Sequence, residues 1–421
     1  MLSSKTNSID NHSSLAYKAW PIFLLSFIRL FYVSIFERAL SNYLLFDIDI
    51  PKSTLGFITS AGALTYIVAP IIGQFVTKKY FGIRTALIFS SIATPILTGA
   101  QIIFPEPGFL ILCRVSLGLT MGFFWPNCLN LLSRWQKVSS IEKSKKNFVL
   151  FNVSWNSGFI FGLIIGFFWA IFWSDFLAMV IAWSISFLLI PVSFLIKKDT
   201  NQYISKEKVI YQTEDPQSHL DIEEDLTVNR KTPMVVYPIL FSWLGIIFLT
   251  ISKSSFAFSY PIFIKTFESP SFLTYLVQCG LQTTQLIGLT LINSMSTYRR
   301  KFASFIGVIF VVAFALAILF IRDIIFISIF SASVGFFLGF VHGTGMKIML
   351  EKGAAQDTSK YATVNEILIG VGFGLTPIIT GYLSEINIYS IFMFLGIIGL
   401  VILIPMIYLS RNVKKSETYN V

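Results

Sequence analysis

Twelve long apolar runs set the terms on which this chain can fold. They lie at about residues 20–45, 54–76, 84–104, 108–132, 148–172, 176–196, 235–263, 271–293, 302–321, 324–348, 361–383 and 388–409 of 421. Each approaches or exceeds the ~20 apolar residues that an α-helix needs to cross a bilayer. The runs are continuous, whereas strands of a membrane barrel alternate apolar and polar residues, so helices are predicted. Charged residues make up 13% of the chain, against about 25% in soluble proteins. Most of the surface is therefore expected to meet lipid.

The net charge of +10 does not point to nucleic acid, because the basic residues follow the helices. If successive runs alternate in direction, the N-terminus, the loops after even-numbered runs and the C-terminus carry most of the Lys and Arg. The opposite loops hold only Lys52, Lys265 and Arg322, and they carry Asp47, Asp49, Glu106, Asp175, Glu268, Asp323 and Glu385. Such asymmetry predicts cytoplasmic termini. Residues 1–19 are polar, and the first run is too long for the core of a cleaved signal. The expectation is a multi-pass protein of the plasma membrane, acting as a monomer in the lipid bilayer. Cys113, Cys128 and Cys279 are odd in number, far apart and inside apolar runs. They read as packing residues rather than a disulfide frame or metal site, and no cofactor is expected.

Residues 197–234 are polar and mixed in charge, with an acidic stretch from Asp221 to Asp225. They read as a cytoplasmic linker between bundles at 20–196 and 235–410, with cytoplasmic ends at 1–19 and 411–421. The two bundles repeat. Trp20-Pro21-Ile22 matches Tyr237-Pro238-Ile239. Gly73 and Arg84 match Gly288 and Arg299, Gly118 and Gly122 match Gly335 and Gly339, and Gly158 and Gly162 match Gly370 and Gly374. Four matches in order argue for a duplicated six-helix unit. Parallel repeats of this kind are a transporter architecture with a site between the halves near the midplane.

With these features the chain resembles the major facilitator superfamily over nearly its whole length, the linker excepted. The segment Gly73–Arg84 looks like that superfamily's signature between helices 2 and 3, with Thr77 where an Asp is usual. Arg114 and Gly118 resemble a helix 4 motif of proton-coupled members. A narrower likeness runs to the organophosphate antiporters, where helices 1 and 7 each give an Arg to the substrate phosphate. Arg38 fits the first position and Lys253 the second. Gly122-x-x-Trp125-Pro126-x-Cys128 and Asn152-x-x-x-Asn156 are similar to patterns in helices 4 and 5 there. Lys replaces Arg in helix 7, and Trp155 stands where that branch has a His. A Lys lacks the bidentate fork of Arg, so the likeness implies an anion site more than a phosphate site.

Charges inside the runs are the candidate functional residues, since each costs ~2.5–3.5 kcal/mol on insertion scales. Arg38 and Lys253 are repeat equivalents and are expected to face each other across the cavity, where two cations would hold an anion. The bland alternative pairs Arg38 with Glu37 or a neighbour, or lets both cations reach the outer interface. Arg29 lies about 180° around helix 1 from Arg38, so the two cannot share a face. It reads as an interior partner or a solute contact. Arg114, Trp125, Asn156 and His342 are further candidate contacts, each with an ordinary packing alternative. Glu37 and Glu366 are candidate proton carriers, although Glu366 could equally serve the start of its helix.

Three functions compete. One is a secondary transporter of a small solute working by alternating access, with a small organic anion as the leading substrate. Another is proton-coupled efflux of amphipathic compounds. The third is a transporter-like receptor. An enzyme is not expected, because the sequence carries no His-Asp pair, metal-ligand cluster or phosphate-cradling Gly-rich loop.

Overall fold

The computed structural model describes residues 19–137, 141–197, 238–321, 323–355 and 358–411. The expected linker and cytoplasmic ends lie outside the described residues apart from their boundary positions. Twelve helices account for nearly everything described, and none of the described residues forms a strand. Helix α1 is Trp20–Asn42 and runs on as a wider turn over Tyr43–Asp47. Helix α2 is Lys52–Tyr66 and continues after a bend as Ala69–Val76. They are followed by α3 (Ile83–Ile103), α4 (Pro107–Lys137), α5 (Ile141–Phe172) and α6 (Asp175–Ser186, continuing as Leu189–Phe194). The second half comprises α7 (Ile239–Thr266), α8 (Leu273–Asn293), α9 (Thr297–Ile318), α10 (Ile324–Ala355), α11 (Thr358–Ile386) and α12 (Ser390–Ser410).

Ten of these helices are long and apolar enough to cross a membrane, and the bent α2 makes an eleventh. The remaining one, α8, has 21 residues, enough for a ~30 Å core at 1.5 Å per residue. Its apolar character is diluted by Gln278, Gln282 and Gln285. The bend in α2 measures 41°. The sequence predicts a single run over 54–76, but Pro70 stands in the first turn of the second segment. A proline there withholds an N–H from the preceding turn and breaks the helix.

The repeat is written into the packing. An added Cβ on Gly122 of α4 would come within 2.2 Å of the Ala69 carbonyl oxygen of α2. One on Gly339 of α10 would come within 2.4 Å of the Gln285 carbonyl oxygen of α8. Likewise Gly118 abuts the Gly62 carbonyl, and Gly335 abuts that of Leu281. The same small residues thus bring α4 onto α2 and α10 onto α8, the close approach that small residues allow in lipid. One expected match fails this test. Gly158 and Gly162 press on Phe27 and Phe31 of α1, within their own half, whereas Gly370 and Gly374 press on Ile67 and Leu64 of α2 across the halves. By packing, the counterpart of those two is Gly166, which meets Tyr275 of α8. The sequence offset aligned the right helices but the wrong faces.

The halves meet chiefly along α2–α11 and α5–α8. We call the end where α1 begins the basic end, after Lys78, Lys79, Arg84 and Arg299, and the other the acidic end. At the basic end of α2, Asn127 Nδ2 of α4 donates to Thr77 Oγ1 (3.1 Å) and to the Phe123 carbonyl (2.8 Å). A neutral hydrogen bond therefore stands where the resemblance implied an Asp. Thr77→Val is expected to lower stability by about 1 kcal/mol, the usual worth of one buried neutral hydrogen bond. A Tm unchanged within error in thermal unfolding of purified Thr77→Val would count against that role.

Candidate functional site

The site is built where α1 crosses the second half. Residues Glu37 and Arg38 lie next to each other in the last third of α1, and both line a cavity of about 220 Å³ between the halves. Hydroxyls of Ser34, Ser41, Thr59 and Ser254 and rings of Phe159, Phe258 and Phe373 complete much of its wall. The two charges take different partners. Glu37 forms an ion pair with Arg114 of α4, inside its own half. Arg38 reaches across, donating Nη1 to the Ala257 carbonyl of α7 (3.2 Å) and Nη2 to Gln278 Oε1 of α8 (2.8 Å). Of the alternative that paired Arg38 with Glu37 or a neighbour, the Glu37 pairing is corrected: Arg114 occupies the carboxylate, and Arg38 takes neighbours on α7 and α8 instead. The wall then carries one neutralised pair and one guanidinium held only by neutral acceptors.

Lys253 Nζ lies 5.8 Å from the ring of Phe159, one of the cavity's lining residues. The partners of Lys253 are Gln282 and Gln285 of α8, the latter at 2.9 Å. Gln282 in turn donates to Asn156 Oδ1 of α5 (2.9 Å), and Gln285 meets His342 Nδ1 of α10 (3.2 Å). Asn156 Nδ2 completes the chain by donating to the Asn152 carbonyl (2.8 Å). Thus Gln278, Gln282 and Gln285 form one polar stripe on α8 that serves Arg38 at one end and Lys253 at the other. Sequence reasoning missed this stripe. The signal was available: spacing i, i+4, i+7 puts three amides on one face of a membrane helix.

The expected direct opposition of Arg38 and Lys253 is not what the structure has. Arg38 is part of the cavity wall and Lys253 is not; the Lys253 ammonium bonds to the α8 amides. Arg29 is also off the wall. It is fully buried, donating to Ser90 Oγ of α3 (3.2 Å) and lying 4.2 Å over the Phe124 ring of α4. Its half-turn offset from Arg38 buries it inside the first half. Trp125 packs edge-on against Phe124 and Phe151, and Trp155 donates to Asn152 Oδ1 (3.1 Å). Arg114, Asn156 and His342 serve the site through Glu37, Gln282 and Gln285. Glu366 of α11 lies away from the cavity and accepts from the Tyr66 hydroxyl of α2 (2.8 Å), where α2 begins to bend.

Beyond the cavity, polar contacts join the halves at the acidic end. Lys265 at the end of α7 bonds to the Leu45 carbonyl and to Asp49, whose carboxyl is held below the usual carboxylate range by that hydrogen bond and charge. Lys52 donates to the Ser384 carbonyl, and Glu385 accepts from the Ser53 N–H. Nearer the basic end, Tyr66–Glu366 and Asn156–Gln282 are polar contacts between the halves.

Comparison with known proteins agrees with this architecture. The family model described as Major Facilitator Superfamily matches residues 22–277 and again 242–420. Among solved structures, the nucleoside transporter NupG superposes with a TM-score of 0.66 at 14% identity, covering 93% of this chain and 99% of that one. A POT family transporter solved with 5-aminolevulinic acid gives 0.66 at 15%, covering 94% and 96%. A D-xylose–proton symporter gives 0.66 at 10%, covering 96% and 99%. At these identities the likeness is one of fold. No curated protein matches the chain.

Proposed function

The chain belongs to the Major Facilitator Superfamily, and from that premise we propose that the solute it moves is a small organic anion, received at Arg38 and passed across by alternating access. Membership makes it a secondary transporter of some solute. Nucleosides, D-xylose and 5-aminolevulinic acid, named for its structural neighbours, differ in charge, so the solute class must be argued from the side chains. The observation that carries the proposal is the charge balance of the cavity wall. Glu37 is neutralised by Arg114, while Arg38 has only the neutral Ala257 carbonyl and Gln278 as partners. A guanidinium so held gains a charge-assisted bond when an anion replaces the amide. Lys253, bound to the same face of α8, adds a second positive charge next to Phe159. The apolar rings suit a hydrocarbon portion on the solute. With the basic end in the cytoplasm, as the Lys and Arg distribution favours, the contacts that join the halves at the acidic end lie on the exterior side.

The test is a ligand-induced thermal shift on the purified protein with a panel of mono- and dicarboxylates and phosphorylated acids. An anion at 100 times its Kd stabilises the native state by about 2.7 kcal/mol. Arg38→Gln is expected to abolish the shift, and Lys253→Gln to weaken binding about tenfold. Anion shifts that survive both substitutions would overturn the reading. A second reading, proton-coupled efflux of amphipathic compounds, draws on the aromatic wall and on Glu37, whose side chain remains 40% exposed. It predicts shifts with neutral or cationic compounds that do not depend on Arg38.

A further inference from the structure

Arg29 has no exposed surface and no part in the cavity wall. Two neighbours fix its guanidinium. Nη1 donates to Ser90 Oγ of α3 (3.2 Å), and that hydroxyl donates onward to the Thr120 carbonyl of α4 (2.9 Å). The Phe124 ring of α4 lies 4.2 Å from Cζ and covers one face of the plane. The remaining edge is Nε and Nη2, and among the described residues neither has a hydrogen-bond partner. These two groups point the same way and form the fork with which Arg grips an anion. One turn earlier on the same side of α1, the buried Ser26 hydroxyl is unpartnered as well. Among the described residues no Asp or Glu pairs with Arg29: Glu37 is taken by Arg114, and Glu366 by Tyr66. The titratable groups facing it are Tyr32, Tyr66 and Cys128, which are ordinarily neutral near pH 7.

We propose that the Nε–Nη2 edge of Arg29 holds a halide ion, chloride under ordinary conditions, as a resident counter-ion inside the first half. The guanidinium keeps its proton in proteins, so its charge has to be met where it stands. A buried charge without an opposite one is the costly arrangement. A water molecule on the fork would satisfy the two N–H groups and leave the charge unmet. An anion meets both. Size and valence follow from the company. One guanidinium face is closed by Phe124, and Phe124 and Cys128 are themselves fully buried, which suits a small, singly charged ion. The fork and the Ser26 hydroxyl offer three donor atoms, enough for a monatomic anion, whereas an oxyanion brings more lone pairs than these can meet. Arg29 is thereby separate from the solute site in place and in task. Arg38 faces the cavity on the other side of α1, and the ion at Arg29 ties α1 to α3 and α4 through a guanidinium that Ser90 and Phe124 hold in position.

The test needs no solute, so its failure is separable from failure of the anion reading at Arg38. Thermal unfolding of the purified full chain would be followed as sodium chloride replaces sodium isethionate at constant ionic strength, an exchange that leaves general screening unchanged. The midpoint is expected to climb with chloride, each tenfold rise above its Kd adding about 2 °C or more. Bromide should act in the same way. Arg29→Gln should lose the response, and Arg38→Gln, which removes the cation of the cavity wall, should keep it. Were Arg29→Gln not recovered folded, anomalous scattering from crystals of the parent protein grown in bromide decides, with a bromide peak expected against Nε and Nη2 of Arg29. A parent midpoint indifferent to chloride, a response that survives Arg29→Gln, a response lost in Arg38→Gln, or density at the fork without an anomalous signal would each overturn the proposal.

Discussion

Gly122→Leu and Gly335→Leu are each expected to lower the thermal unfolding midpoint by on the order of 10 °C, or to prevent recovery of folded protein. The reason is backbone against backbone. A Cβ at Gly122 would lie 2.2 Å from the Ala69 carbonyl oxygen, and one at Gly335 would lie 1.9 Å from that of Leu281. Neither obstacle is a side chain that can swing aside, so α4 must back away from α2, or α10 from α8. Overpacking of a tight interior commonly costs 1–3 kcal/mol, and a displaced helix pair places these variants at about 3 kcal/mol or above. Each kcal/mol corresponds to roughly 2–4 °C in a domain of this scale. Gly108 has nothing within 4 Å of an added Cβ, so Gly108→Ala serves as the control and should leave the midpoint unchanged or slightly raised. Equal midpoints for Gly122→Leu and Gly108→Ala would show that the helix crossing does not depend on that glycine.

The second large effect belongs to Glu37 and Arg114. Removing one partner from a fully buried ion pair typically costs 3–5 kcal/mol, because the other charge is stranded. The Arg114 side chain is 8% exposed and that of Glu37 is 40% exposed, so water softens the loss and about 2 kcal/mol is the expectation for Glu37→Gln. Arg114→Gln should cost less, since Glu37 can turn to cavity water. The double variant should be clearly more stable than the sum of the single losses implies, with a coupling of about 1–2 kcal/mol. Strictly additive losses in denaturant or thermal unfolding would show that the contact contributes nothing.

Much of the fold was legible because it depends on properties that a segment has by itself. Long apolar runs between Trp20 and Leu409 had no stable place except as helices in lipid. One break and one polar face were not legible, for local reasons: Pro70 lies inside a long apolar run, and the Gln stripe of α8 lies inside a span whose length alone marks it. The candidate site was less legible. The sequence marked Glu37, Arg38, Arg114 and Lys253 as charges needing explanation, and helical periodicity correctly separated Arg29 from Arg38. It could not name partners, because Arg114 is 77 residues from Glu37, and Gln278 is 240 from Arg38. The repeat also misled where it was taken too literally: equal positions in the two halves gave neither Lys253 a place on the cavity wall nor Gly370 the packing of Gly158.

The sequence by itself determined a lipid-embedded chain of twelve helices in two related halves, with basic and acidic ends. Apolar length, charge distribution and repetition survive any arrangement of the helices. Only the tertiary structure decided which charge is neutralised and which is left to neutral acceptors. That choice depends on the rotation and closeness of helices set by glycines pressed against neighbouring backbones. Those contacts turn Glu37 to Arg114, carry Arg38 across to α7 and α8, and seat Arg29 between Ser90 and Phe124.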